Sequence, residues 1–269
     1  MALLETRALS KSFGGLRAIQ DLEMDVEEGS IHGLIGPNGS GKSTFFNLVT
    51  GVYKTDPGSS VRFADENITN FEAYEISRRG VARTFQLLRL FSEMTVLQNL
   101  LVGYHTHTRY AAAAPIFSPR RVKKADQEAS DSMLELLGII GLAEFADMPA
   151  GELSGGQRRL LSLGRAMAMR PKLLMLDEPA AGLSPTNVDV LMDIVLALKK
   201  RYGLTLLIVE HILKVVMDTC DRVTVLDHGQ KIGEGAPHEV KDDHAVIEAY
   251  LGKEMSDEDV RAAFEHAAK

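Results

Sequence analysis

Gly36-Pro37-Asn38-Gly39-Ser40-Gly41-Lys42-Ser43 lies between an apolar run, Ile31 to Ile35, and a segment, Thr44 to Val49, that opens a helix. The run reads as a buried strand, so the glycine-rich stretch is the turn from a strand into a helix: a phosphate-binding loop. Gly36, Gly39 and Gly41 permit backbone conformations that a side chain forbids, and successive N–H groups can then converge on one anion. The helix behind them adds the positive end of its dipole. Lys42 is placed to reach the β- and γ-phosphates of a nucleotide as a mobile charge. The Ser43 hydroxyl is placed to ligate the magnesium ion that travels with them, and Pro37, Asn38, Ser40 and Thr44 complete the cradle.

Working outward, 269 residues with 45% hydrophobic content can bury one large core or two small ones. The net charge of -7 argues against nucleic acid or anionic lipid as a general partner, and basic pairs such as Arg120-Arg121 and Lys199-Lys200 read as solvated helix ends. One cysteine, Cys220, excludes an internal disulfide. It follows Val215 and Val216 in an apolar helical pattern, so a buried, inert thiol and a reducing, cytoplasmic compartment are expected. Met1 to Glu5 shows no basic region leading into a long apolar core, so no signal peptide is expected. Apolar runs such as Thr205 to Val209 are too short to cross a bilayer, so any work at a membrane needs another chain to span it.

Upstream of the loop, residues 1 to 35 alternate like strands, with turns at Gly14-Gly15 and Glu28-Gly29 and with Phe13 just before the first turn. Downstream, Asp56-Pro57-Gly58 marks a turn, Val61 to Phe63 a short strand, Glu72 to Arg79 a helix, and Val81 to Phe85 a strand ending at Gln86. From about Leu87 to Ala150 the pattern turns helical. Ser118-Pro119 opens a helix on which Val122, Ala125, Ala129, Met133, Leu136 and Leu137 form one apolar stripe. His105 and His107 flank Thr106 with no third ligand in the pattern, which reads as a surface loop.

A second phosphate-ready feature follows. In Leu153-Ser154-Gly155-Gly156-Gln157, Ser154 is a natural cap and the glycines leave the start of the helix Arg158 to Met169 bare. Leu173 to Leu176 fits a central parallel strand and ends in Asp177-Glu178-Pro179. Adjacent carboxylates at a strand end are costly unless a cation or a water to be activated faces them. Asp177 suits magnesium, directly or through water, and Glu178 an attacking water, as base or water-positioner. Ala180 to Ser184 forms a tight loop, and Ser184-Pro185 caps a helix through Lys200. The strand Leu204 to Val209 then delivers Glu210-His211. A lone histidine after a strand is more often structural than catalytic, but at this place in the order of motifs His211 is positioned to sense a γ-phosphate. Arg222 to Leu226 and Lys231-Ile232 form a hairpin about His228-Gly229, Pro237 to Leu251 reads as helical, and Lys253 to Lys269 as a charged tail.

With the phosphate loop, Gln86, Leu153 to Gln157, Leu173 to Glu178 and His211 in this order, the chain resembles the ATP-binding cassette (ABC) ATPases over nearly its whole length. The resemblance implies an α/β fold: a P-loop NTPase core of mostly parallel sheet with helices (1–86 and 151–252), an antiparallel β subdomain, an inserted helical subdomain (87–150) and a C-terminal tail (253–269). It implies ATP and magnesium as cofactors, adenine stacking for Phe13, and hydrolysis carried by Lys42, Gln86, Glu178 and His211. Metal contacts would fall to Ser43, Gln86 and Asp177. ATP would be sandwiched between the phosphate loop of one copy and Ser154 to Gln157 of a second, identical or similar subunit.

Gly80-Val81-Ala82-Arg83-Thr84-Phe85-Gln86, Asp177 to Leu183 and Ile247 to Gly252 are similar to the ATPase subunits of branched-chain amino acid importers. That branch implies transmembrane permease subunits as partners, a solute-binding protein acting indirectly, no nucleic acid, and a place on the cytoplasmic face of the inner membrane. A helix of the permease would dock by Phe85, Leu87, Leu88, Leu90 and Phe91. Leu153 to Gln157 has the general form of the family without the aromatic variant of that branch. Ser184 replaces a frequent asparagine, and Ile212-Leu213 a frequent acidic residue. Urea, short amides and aromatic acids are carried by related systems. Export of lipid or lipopolysaccharide, and a soluble cassette acting on ribosomes or DNA, are the other readings of the same motifs.

Overall fold

The computed structural model describes residues 1–84, 90–105 and 119–254. Strands β1 (Ala2–Phe13) and β2 (Leu16–Glu27) form a long hairpin about Gly14-Gly15. With β4 (Ser60–Phe63) and β5 (Glu66–Asn67) they make an antiparallel sheet of order β2-β1-β4-β5. A second sheet joins β3 (Ile31–Ile35), β6 (Val81–Arg83), β7 (Leu173–Asp177), β8 (Thr205–Val209), β9 (Arg222–Asp227) and β10 (Gln230–Gly235) in the order β10-β9-β3-β8-β7-β6. All its neighbours are parallel except β9 and β10.

Strands β3, β7 and β8 are buried at every position. That is why they read as unbroken apolar runs rather than alternating ones. Their side chains still alternate between two cores. Leu174, Leu176, Leu206, Ile208 and Ile35 face one that also holds Leu100, Leu137, Leu161 and Leu191. Leu173, Met175, Leu207, Val209 and Leu34 face the other, with Phe45, Phe46, Leu4, Leu22, Met24 and Phe63. The main sheet is thus the middle layer between helices and the antiparallel sheet.

The helices are α1 (Lys42–Val49), α2 (Ala73–Arg78), α3 (Val96–Tyr104), α4 (Pro119–Ile139), α5 (Gly155–Ala168), α6 (Pro185–Tyr202), α7 (Leu213–Thr219), α8 (Pro237–Val240) and α9 (His244–Glu254). Ala129, Met133, Leu136 and Leu137 of the expected stripe on α4 are buried, while Ala125 is half-buried. Among the described residues no helix is long and apolar enough to cross a membrane.

Three local expectations change. Helix α5 begins at Gly155 rather than Arg158, because the reciprocal bonds of Ser154 and Gln157 satisfy its first amides. The Ser184 side chain makes no cap hydrogen bond, and α6 starts on Pro185, whose fixed φ suits a first helical position. Pro237 to Leu251 is two helices. The Asp243 carboxylate accepts the Ala245 N–H at 2.9 Å, and a short acidic side chain that takes a main-chain amide starts a new helix in preference to continuing the old one. Cys220 is buried as expected, and burial pushes its thiol up to about 12. His105 is exposed at the end of α3. Phe85, Gln86, Leu87, Leu88, His107 and residues 255–269 lie outside the described residues.

Candidate functional site

The phosphate loop leaves the carboxyl end of β3 and passes between two main-chain walls. A Cβ at Gly36 (φ +148°) would stand 2.0 Å from the Leu226 carbonyl oxygen, and one at Gly41 (φ +109°) 2.6 Å from that of Ala18. Only glycine lets the loop approach β9 and β2 so closely. The Gly229 N–H at the β9–β10 turn donates to the Ser40 carbonyl (2.9 Å), and the Gln20 N–H donates to the Gly229 carbonyl (2.8 Å). The loop is therefore held from both sides before any nucleotide arrives.

Lys42 opens α1 and folds back beneath the loop. Its Nζ donates to the carbonyls of Gly36 (2.7 Å) and Pro37 (2.9 Å). Burial lowers its pKa, and the carboxylates of Glu178 and Asp177 pull it back up. The ammonium is thus stored on weak acceptors, from which a stronger anion can draw it. Asn38, Gly39 and Ser43 are exposed and Thr44 is half-buried, so the crest of the loop is open to a ligand.

The carboxylates Asp177 and Glu178 lie together at the carboxyl end of β7. Asp177 closes β7 and meets Arg83 of β6 at 2.6 Å, with side chains only 10% and 8% exposed. Arg83 also donates to Asn47 Oδ1 of α1 at 2.7 Å. One guanidinium thus ties the carboxylate strand to the helix that leaves the phosphate loop. In the sequence Arg83 carries no motif of its own, and its signal is a lone cation in an otherwise apolar short strand.

Glu178, the next residue, has φ +49°, a conformation uncommon outside glycine and asparagine. Its N–H donates to the Val209 carbonyl at 2.9 Å, which keeps it at the carboxyl end of the sheet beside the end of β8. His211 follows β8, and its Nε2 lies 2.7 Å from Glu178 Oε1. Glu178 and His211, for which the sequence suggested separate roles, are therefore brought into contact although 33 residues separate them. Among the described residues no three His, Cys, Asp or Glu side chains cluster as metal ligands.

Ser154, Gly155 and Gly156 are exposed at the bare start of α5, where a Cβ on either glycine would meet nothing within 4 Å. The pocket beside them is lined by Ser154, Gly156, Gln157 and Leu160 of that segment and by Asn187 and Leu191 of α6, with no residue of the phosphate loop. Phe13, at the end of β1, is 43% exposed and packs edge-on against Tyr53, with ring centroids 5.3 Å apart. Leu90 is partly buried against the core, whereas Phe91 is exposed beneath the Arg165 guanidinium, 5.9 Å from its ring centroid.

The sequence pattern of the ABC transporter family matches residues 19–181, and that of the branched-chain amino acid ATP-binding cassette transporters matches residues 230–256. The high-affinity branched-chain amino acid transport ATP-binding protein BraF of Pseudomonas aeruginosa is 40% identical over 251 residues, covering 93% of this chain and 98% of its own. The protein LivG of Salmonella typhimurium, described in the same words, is 39% identical over the same shares. The crystal structure of the ADP conformation of an ATP-binding cassette of an ABC transporter, 36% identical, superposes with a TM-score of 0.80 over 94% of this chain and 100% of that one. Motif order, sheet topology and these likenesses agree: the chain belongs to the ABC transporter family, as one of its ATP-binding, ATP-hydrolysing cassettes.

Proposed function

We propose that this chain powers the import of branched-chain or closely related amino acids by hydrolysing ATP for a pair of transmembrane permease subunits fed by a solute-binding protein. The observation that supports the chemistry best is the 2.7 Å contact of His211 Nε2 with Glu178 Oε1 at the carboxyl end of the sheet that also carries the phosphate loop. The cargo rests on the names of the relatives. The chain sits on the cytoplasmic face of the membrane through its partners, and residues 87–150 form the insert that meets the permease.

The triphosphate lies on the N–H groups of residues 38 to 44, and Lys42 leaves the Gly36 and Pro37 carbonyls to pair with its outer phosphates. Phe13 offers a ring to the adenine. Glu178 accepts the proton of the attacking water, and His211 both orients the Glu178 carboxylate and reads the γ-phosphate. Magnesium fits the donor set: the Ser43 hydroxyl and the Asp177 carboxylate are hard oxygen ligands, joined by Gln86. When bound it neutralises charge that develops on the phosphates. Ser154 to Gln157 of a second subunit close over the nucleotide, and loss of the γ-phosphate lets the two part.

Glu178→Gln keeps the shape of the side chain and removes its basicity. The variant is expected to bind ATP, to accumulate as an ATP-dependent dimer by light scattering, and to lose at least about a hundredfold in turnover. Near-normal hydrolysis would remove Glu178 from its role. Uptake of labelled leucine into vesicles that hold the assembled transporter tests the cargo, and uptake of urea or an amide in its place would reassign it.

A further inference from the structure

Glu210 stands between the last residue of β8 and His211 and is only 2% exposed. Its Oε1 accepts the Ala180 N–H at 2.7 Å, and its Oε2 accepts the His211 N–H at 3.2 Å. The Ile212 N–H also favours the charged form of this carboxylate. Among the described residues its recorded hydrogen-bond partners are main-chain amides, and they belong to two loops: the one that follows Glu178 and the one that carries His211. Burial raises its pKa and the three amides oppose that rise. A buried carboxylate without a cation is expensive, and convergent amides are what makes it tolerable.

The loop it holds starts under strain. Glu178 is in the left-handed region, and its carbonyl accepts the Ala181 N–H at 3.2 Å in a tight turn that continues with Leu183 N–H to Ala180 O at 3.1 Å. A non-glycine residue stays in such a conformation only where its surroundings over-determine it. Two residues further on, the fully buried Ala180 is fastened to Glu210.

We propose that Glu210 is a positioning residue: its carboxylate clamps the 178–183 loop to the 210–212 loop, so that Glu178 and His211 hold their contact and a displacement of either loop moves the other. The inference rests on the reading that Glu178 and His211 act in hydrolysis. It adds the group that makes them one unit.

Glutamine is nearly isosteric but can accept with one oxygen only, and its NH2 group would face an N–H. In the full-length chain, Glu210→Gln is expected to lower kcat at least about tenfold with the KM for ATP within about twofold. On a His211→Ala background it is expected to add no further loss, because both changes uncouple the same pair. A kcat within about twofold of the unsubstituted chain overturns the proposal, as does a loss that multiplies with that of His211→Ala, or a KM that rises while kcat holds. Should Glu210→Gln not fold, Glu210→Asp carries the same test, since a shortened carboxylate reaches only one of the two loops. Normal hydrolysis by Glu178→Gln and His211→Ala would instead sink the underlying reading, whatever Glu210→Gln does.

Discussion

Arg83 shows what a single side chain does at this site. Its guanidinium is buried between the carboxylate of Asp177 on β7 and the amide oxygen of Asn47 on α1. A buried ion pair adds little net stability over an apolar substitute, but removing one partner strands the other charge in a poor solvent. Arg83→Met is expected to lower the unfolding free energy by about 3 kcal/mol, read as a shift in urea midpoint, and adding Asp177→Asn should recover part of it. An unchanged midpoint would mean that the pair contributes nothing. The residue was visible in the sequence and its partner was not, because 94 positions separate Arg83 from Asp177 and only strand pairing brings them together. Lys42 differs: its charge rests on carbonyl oxygens and is free to be drawn away by phosphate.

At the scale of elements, the central strand β3 carries a polar residue through the interior. His32 is 1% exposed, and its Nε2 lies 2.8 Å from Thr224 Oγ1 of β9. Burial lowers its pKa from 6.5 to about 4, against the opposing pull of Glu234. The folded protein therefore holds a neutral imidazole down to about pH 4, while the unfolded chain takes up a proton near pH 6.5. Acid favours the form that binds more protons, so stability present above pH 6.5 is lost between 6.5 and about 4. A shift of that size corresponds to about 3 kcal/mol. His32→Gln, followed by thermal melting across that range, should flatten this part of the pH dependence, and an unaltered slope would assign the acid sensitivity elsewhere. Elements with one strong local signal were legible: the apolar runs β3, β7 and β8, the glycine turn of the β1–β2 hairpin, and the stripe on α4. The break between α8 and α9 was not, because Asp243 competes for main-chain amides at a point where the apolar pattern continues.

At the scale of the whole molecule, the chain carries two bare helix starts. That of α1 lies behind the phosphate loop, with the Lys42 ammonium turned back onto the Gly36 and Pro37 carbonyls, whereas that of α5 faces open space beside α6. If the second is completed by another subunit's nucleotide, a negative charge there should repel the phosphate and leave the fold untouched. Gly156→Asp, whose Cβ meets nothing within 4 Å, is expected to melt within a degree or so of the parent and to abolish the ATP-dependent dimer of Glu178→Gln. A dimer that persists, by light scattering or sedimentation, would place the nucleotide elsewhere.

The sequence alone determined the phosphate loop, the bare start of α5, the carboxylates at the end of β7 and the order that marks the ABC family. Each rests on a local rule: which residues tolerate positive φ, which cap a helix, which runs survive burial on both faces. Tertiary structure alone decided which charges meet. It joined Glu178 to His211, Asp177 to Arg83, and Glu210 to the amide of Ala180, across separations of 33, 94 and 30 residues. Those contacts depend on strand order, and strand order follows from how the whole chain buries its two cores, which no window of sequence contains.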